Sequence, residues 1–362
     1  MLDIFSAPEH SSISTAQRGG SFYLIGSKKA GKTSTALAMH EFNESAYKAQ
    51  GKGRTLLIAL ESGYKAISTP FTPVACSSFN QFKQIIKQLE QDAKLVAEGK
   101  KDDTEFELIV IDSLDILATQ VIDMVNSKYG VTSLADTPSK CGYREISTLL
   151  ENELMKLMRL TNAQGQLLYT TVFIGHSEQK EVKCPVTKQK MMVTMPSCEK
   201  RISAIVSKHC DNTILITTAQ DETTGQEQRY LVVRSANVQE VGSRYPLMPN
   251  IIPMGANGAR ALHDALDKAI KEQAARDNLS LTNVNESTHG EQMSFNFDEL
   301  MDQAKVIYGL YDQGGKANVF AITVEQILGA GRRISDCTEL QVEALADVIQ
   351  TLKEKAVTLG LM

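Results

Sequence analysis

The sequence predicts an α/β protein, a mainly parallel β-sheet with helices on both faces, followed by a small helical domain. Three observations predict it. Short, continuous apolar runs recur through the first two-thirds of the chain, as in strands buried on both faces. Segments with helical spacing alternate with them, the order that builds a parallel sheet. After a polar stretch at residues 271–292 only helical patterns remain.

The elements follow in order. Phe22-Tyr23-Leu24-Ile25 reads as a strand that leads into a glycine-rich loop, and Thr33 to about Tyr47 as the helix after it. Arg54 to Leu60 is the next strand. From Phe79 to Val96, the residues Phe79, Phe82, Ile86, Leu89 and Ala93 fall on one helical face. Leu108–Ile111 is a third strand. A connection containing Tyr129 to Pro138 precedes a Leu- and Met-rich helix from about Ile146 to Leu160. Leu167–Ile174, Asn212–Thr217 and Tyr230–Val233 are three further strands. The last two, joined through Gly225, are expected to form an antiparallel edge pair. A short helix at Ala259–Ile270 closes a domain spanning residues 1–270, and residues 271–292 read as a linker. In residues 293–362, Phe297–Tyr311, Val324–Leu328 and Leu340–Ala356 look helical. Thr323 with Gln326 and Thr338 with Gln341 are spaced as capping boxes. Leu345, Val348, Ile349, Leu352 and Ala356 form an apolar stripe that reads as core.

Bulk properties exclude several function classes. The chain has 362 residues, 42% of them apolar, enough for a sizeable core and about two domains. Its net charge of −5 is not that of a polycation, so a nucleic-acid partner would need a local basic surface. The six cysteines, Cys76, Cys141, Cys184, Cys198, Cys210 and Cys337, include no C-x-x-C pair, which argues against a zinc site or a disulfide framework. The N-terminus lacks the basic and apolar regions of a signal peptide, and no stretch reaches 18 apolar residues. A soluble, cytoplasmic protein is expected, with no membrane partner.

The chemistry concentrates in Gly26-Ser27-Lys28-Lys29-Ala30-Gly31-Lys32-Thr33, a full match to G-x-x-x-x-G-K-[ST]. At average residue usage a chance match in such a chain has a probability of roughly 1%. Glycines let backbone N–H groups turn inward around a phosphate, and the helix beginning near Lys32 aims its positive end at it. The segment Gly26 to Ser34 is therefore expected to hold ATP, with the Lys28 and Lys29 side chains facing solvent. Lys32 is expected to bridge the β- and γ-phosphates and the Thr33 hydroxyl to hold Mg²⁺. Asp112 ends the strand Leu108–Ile111, where a carboxylate orients Mg²⁺-bound water. Glu61 directly follows the strand Thr55–Leu60. If that strand neighbours the phosphate-loop strand, Glu61 opens onto the same crevice and can polarise an attacking water.

The phosphate loop, Thr55–Glu61 and Leu108–Leu114, with its Asp112-Ser113 pair, together resemble the successive core motifs of RecA-type recombinases. The variant is similar to the phage-encoded, shortened RecA-like ATPases grouped with single-strand annealing proteins, over about residues 20–255. Ser113 stands where many AAA+ and helicase-like ATPases carry a glutamate, which disfavours the simplest form of that class. The resemblance implies a RecA-like P-loop NTPase core, located in the host cell's cytoplasm if phage-encoded. It makes His176, in Phe173-Ile174-Gly175-His176, the residue that senses the γ-phosphate, although the bacterial family commonly has Gln there. It makes Arg234 the cation that reaches a neighbour's ATP across a subunit interface, with Arg244 a weaker candidate.

The DNA-binding loops of that family correspond to about Ser127–Tyr143 and Ser177–Ile202. Between Ser177 and Cys210 stand seven Lys/Arg, namely Lys180, Lys183, Lys188, Lys190, Lys200, Arg201 and Lys208, against three Glu. Residues 292–362 hold six basic and ten acidic side chains. Single-stranded DNA on the basic loop is the expected partner. Tyr129 and Tyr143 are the stacking candidates, and Met191, Met192 and Met195 read as core or as wedges. A homo-oligomer with nucleotide between subunits is implied, along with a single-strand-binding protein on the acidic C-terminal helices. The leading expectation is a recombination ATPase that promotes annealing or strand exchange. The alternative is a nucleotide-dependent scaffold with little turnover. A small-molecule kinase is disfavoured because no Arg-rich lid segment is evident.

Overall fold

The computed structural model describes residues 12–16, 18–42, 54–183, 188–220, 225–238, 240–283, 285, 297–338 and 341–361. The chain divides into two compact units, Met1–Thr288 and His289–Met362. In the first, β1 (Ser12–Ser14) precedes β2 (Ser21–Gly26), the phosphate loop and α1 (Lys32–Ala38). Then come β3 (Thr55–Ala59), β4 (Thr72–Ala75), α2 (Phe79–Ala97), β5 (Leu108–Asp112), α3 (Leu114–Tyr129) and α4 (Gly142–Met158). They are followed by β6 (Thr170–Lys183), β7 (Lys190–Pro196), α5 (Lys200–His209), β8 (Asn212–Gln220) and β9 (Glu227–Val232). The short strands β10 (Gly242–Ser243) and β11 (Ile251–Pro253) lead to α6 (Gly258–Asp277) and β12 (Ser280–Thr282).

The main sheet has the order β11-β9-β8-β2-β6-β5-β3-β4, and the six strands from β8 to β4 run parallel. At its edge β9 pairs antiparallel with β8, as the Gly225 connection suggested. Strand alternation explains the uninterrupted apolar runs. Tyr23, Ile25, Ile58, Ile109, Ile111 and Phe173 pack on one face under α2, α3, α4 and α5. Their immediate neighbours Phe22, Leu24, Leu57, Leu108, Val110 and Val172 point to the other face, against α1 and α6. A strand covered on both sides has no polar face to show.

Several boundaries differ from expectation. The helix α3 was not legible in the sequence, because its buried Leu114, Leu117, Ala118, Val121 and Val125 follow β5 with no Gly or Pro between. The edge strand β4 contains Pro73 and is mostly exposed, so it carries no apolar run. The helix expected to stop at Ile270 runs to Asp277, into the supposed linker, and β12 then pairs in parallel with β1. Residues 43–50, the far part of the first expected helix, and Cys184 lie outside the described residues, as do 286–296.

Away from the phosphate loop, at the other ends of the strands, Arg54 is tied to Glu107 (2.7 Å) and Asp103 (2.8 Å). Burial raises the Asp103 carboxyl, but its bonds to Arg18 and Arg54 outweigh that and hold it far below the usual carboxylate range. The Glu107 side chain is only 2% exposed. Arg54→Ala, which removes its closest counter-charge, should lower stability by about 3–5 kcal/mol in urea unfolding. A loss below about 1 kcal/mol would mean that Arg18 alone suffices there.

The second unit comprises α7 (Phe297–Gln313), α8 (Ala317–Leu328) and α9 (Val342–Thr358). The expected stripe Leu345, Val348, Ile349, Leu352 and Ala356 is its core, packed with Leu300, Ile307 and Tyr311. Thr338 donates its N–H to Gln341 Oε1 (3.2 Å), half of the predicted capping box. Thr323 does not cap: α8 begins at Ala317, and the Thr323 hydroxyl donates back to the Val319 carbonyl (2.8 Å) inside the helix.

Candidate functional site

The site forms where β2 and β5 end and β6 leaves the main sheet, the edge at which parallel α/β sheets hold ligands. The loop leaves β2 at Gly26, where a Cβ would lie 2.5 Å from the Ile216 carbonyl oxygen. Only glycine allows β2 and β8 to meet that closely. Gly31 has φ 98°, a left-handed conformation that turns the chain into α1. The side chains of Lys28 and Lys29 are exposed, as expected, and so are those of Ser27 and Ser34, while Ala30 is buried.

Lys32 is 5% exposed, and its ammonium donates to the carbonyls of Gly26 (2.9 Å) and Ser27 (2.8 Å). Burial lowers its pKa, and the charges of Asp112, Asp115 and Glu61 offset part of that fall. Beside it, the Thr33 hydroxyl donates to Asp112 Oδ2 (2.7 Å). Burial raises the Asp112 carboxyl, Thr33 opposes the rise, and Glu61 adds to it. An ammonium resting on carbonyl oxygens and a hydroxyl paired with a carboxylate suit a phosphate chain and a hard cation. Among the described residues no group of three or more His, Cys, Asp or Glu could hold a metal ion by itself.

Glu61 reaches this site by a different route from the one expected. The strand β3 does not neighbour β2; β6 and β5 stand between them. Glu61 arrives because β3 pairs with β5 and its exit bends over Asp112, whose carbonyl accepts the N–H groups of Leu60 (2.7 Å) and Glu61 (3.2 Å). Its carboxylate accepts a hydrogen bond from the buried Ser113 hydroxyl. The Asp112–Ser113 peptide is cis.

His176 stands between Lys32 and Glu61, with Nδ1 3.4 Å from Lys32 Nζ and Nε2 3.3 Å from Glu61 Oε1. An ammonium only donates and a carboxylate only accepts. The neutral tautomer with its proton on Nε2 satisfies both, and completes a chain Lys32–His176–Glu61–Ser113. Asp115, which sequence reasoning missed, holds this strand end in place. Its carboxylate accepts the His176 N–H (2.8 Å) and the Ser197 hydroxyl (2.6 Å). Its position in the first turn of α3, three residues after Asp112, was its only signal.

The structure does not bring Arg234 to this cluster. The strand β9 runs antiparallel to β8, so Arg234 lies at the end of the sheet away from the loop. Its guanidinium donates to the carbonyls of Met248 (2.8 Å), Tyr245 (2.8 Å) and Ser243 (3.2 Å) and organises that turn. Arg244, at the same end, pairs with Asp211 (3.2 Å).

The basic segment is the hairpin β6–β7, which grows out of the strand carrying His176, followed by α5. Its charge is less available than the count implied. Lys180 pairs with Glu178 (2.5 Å), Lys190 with Glu181 (2.6 Å), Arg201 with Glu199 (3.0 Å) and Lys208 with Glu151 (3.4 Å). Lys183 lies opposite Lys190 in the register, and Lys188 and Lys200 are exposed. Met192 is 54% exposed, whereas Met191 and Met195 are half-buried. The Arg201 guanidinium lies 4.4 Å from the centre of the Tyr143 ring, so the two segments expected to bind DNA meet there. The Tyr129 hydroxyl donates to Glu145 (2.8 Å).

Comparison with known proteins bears on this geometry. The model of a family described as AAA domain matches residues 18–245, which contain the phosphate loop and every acid of the cluster. The SPbeta prophage-derived uncharacterized protein YorG of Bacillus subtilis (strain 168) is 24% identical over 362 residues, covering 98% of each chain. Among solved structures, the KaiC-like protein PH0186 of the hyperthermophilic archaeon Pyrococcus horikoshii OT3 is 13% identical, covers 67% of this chain and 88% of that one, and has a TM-score of 0.33. No described helix is long and apolar enough to cross a membrane.

Proposed function

We propose, from the premise that the chain belongs to the AAA domain family and carries its P-loop ATPase domain, that it binds and hydrolyses ATP and couples this to single-stranded DNA in recombination. The observation that carries the reading is the hydrogen-bonded chain Lys32–His176–Glu61 beside the Thr33–Asp112 pair. Ser113, in place of a second acid after Asp112, donates its hydroxyl to Glu61.

Thr33 and Asp112 would hold Mg²⁺ brought by ATP, and the ion would supply neutralisation of charge on the transferred phosphoryl group. Lys32 exchanges its carbonyl partners for β- and γ-phosphate oxygens. Glu61 accepts the proton of the attacking water as the bond from the γ-phosphorus to the bridging oxygen breaks. His176 donates to Glu61 in the resting state and loses its Lys32 contact once Lys32 turns to phosphate. Through the His176 strand, that change reaches the base of the β6–β7 hairpin, where Ser197 and Asp115 sit.

The hairpin and the Tyr143–Arg201 stack are the proposed contact with single-stranded DNA. Exposed ion pairs such as Lys190–Glu181 are worth little, so phosphates can displace the glutamates. The Lys188→Ala, Lys190→Ala protein should bind an oligonucleotide more weakly, with the salt slope of log K reduced by about 1–2. Unchanged affinity and slope in a fluorescence titration would remove the hairpin as the DNA site. Annealing or strand exchange by a homo-oligomer, with nucleotide between subunits, completes the proposal, and the acidic C-terminal helices are the proposed contact for a single-strand-binding protein. A second reading, a nucleotide-dependent scaffold with little turnover, draws on the hairpin's own glutamates, Glu178 and Glu181, which pair with Lys180 and Lys190. ATP turnover measured with and without single-stranded DNA separates the two, since the scaffold predicts no stimulation.

A further inference from the structure

Arg229 enters the nucleotide site from the flank opposite His176 and Glu61. It stands on β9 opposite Thr218 of β8, and Ile216 of β8 pairs with Gly26 at the start of the phosphate loop. Two residues farther along β8, Arg229 is therefore level with the loop. Its side chain lies against that loop: a Cβ placed on Gly31 would meet Arg229 Nη1 at 3.1 Å. The strand is anchored there, because the Arg229 carbonyl accepts the Met254 N–H (2.9 Å). The guanidinium has no hydrogen-bond or ion-pair partner among the described residues. A guanidinium beside the phosphate loop, with no paired acid among the described residues, is a site for an anion.

The strand order decides which part of the ligand it meets. Asp112 ends β5, His176 stands where β6 leaves the main sheet and Glu61 follows β3, all on one side of β2, while Arg229 lies on the other. A triphosphate whose terminal group faces the first set presents its nucleoside-proximal phosphates to the second. We infer that Arg229 is a nucleotide-binding residue that holds the α- and β-phosphates, a contact shared by ATP and ADP. The inference rests on the nucleotide-binding reading of the loop. Arg229 thereby differs from Lys32, which serves the β- and γ-phosphates.

The test is calorimetric titration of the full chain with MgATP and with MgADP. Arg229→Ala should raise both dissociation constants by a similar factor, about ten- to a hundredfold, the range for a charge-assisted bond to phosphate. Arg229→Lys should restore part of the loss, because it keeps the charge without the planar fork. ADP affinity within twofold of wild type in Arg229→Ala overturns the inference and leaves the ATPase reading intact. A loss confined to ATP overturns it as well, since it would put the guanidinium on the γ-phosphate. Wild-type protein that takes up neither nucleotide overturns both.

Discussion

Lys32→Ala should lower the affinity for MgATP by about two to four orders of magnitude, close to the floor of a calorimetric titration. Two charge-assisted contacts, to the β- and γ-phosphates, are lost, each worth about 1.5–3 kcal/mol. In the resting structure the same ammonium rests on the Gly26 and Ser27 carbonyls at 2.9 and 2.8 Å, so the loop already positions it. Its thermal stability separates this effect from misfolding. Lys32 is buried and its pKa is lowered by that burial, so the folded state holds its charge less readily than the unfolded chain does. Removing the side chain should therefore leave Tm unchanged or slightly higher. Affinity within threefold of wild type would exclude the loop as the phosphate site.

Glu61→Gln should keep ATP binding and lose turnover, by about 10²–10⁴-fold, the range of a general base. The amide retains an oxygen for the Ser113 hydroxyl and nearly the same volume, so the fold at the β3 exit is preserved. What it cannot do is take a proton from water. The readout is phosphate release at saturating ATP, alongside the calorimetric dissociation constant. Full turnover in this variant would transfer the role of base elsewhere, with Asp112 the nearest other carboxylate to Thr33. Loss of binding with turnover would assign Glu61 to ligand positioning instead. Because Glu61→Gln keeps binding, the double variant should bind no more weakly than Lys32→Ala alone.

Much of this site was legible in the sequence because its encoding is local. A phosphate loop needs glycine at the close approach to β8 and at the left-handed turn, and Gly26 and Gly31 occupy those positions. Asp112 was legible as the polar end of an apolar run, and the buried face of α2 followed from helical spacing alone. The antiparallel edge pair and the apolar stripe of α9 were equally local patterns.

What the sequence could not show depended on which strands are neighbours and which way they run. Glu61 was expected at the crevice through adjacency of β3 and β2; it arrives by adjacency of β3 and β5 instead. Arg234 and Arg229 are five residues apart on one edge segment, and only the direction of β9 decides that Arg229 faces the phosphate loop while Arg234 caps a distant turn. Counting lysines on the hairpin overstated its free charge, because cross-strand and neighbouring glutamates pair with them. Backbone conformation and alternation are settled by a few successive residues, so composition at those positions determined the loop, the strands and the helix faces. The gathering of Lys32, His176 and Glu61 on one flank of the phosphate loop and Arg229 on the other joins residues up to 197 positions apart. Sheet order and strand direction alone brought them together, since both are set by burial of whole faces rather than by any local segment.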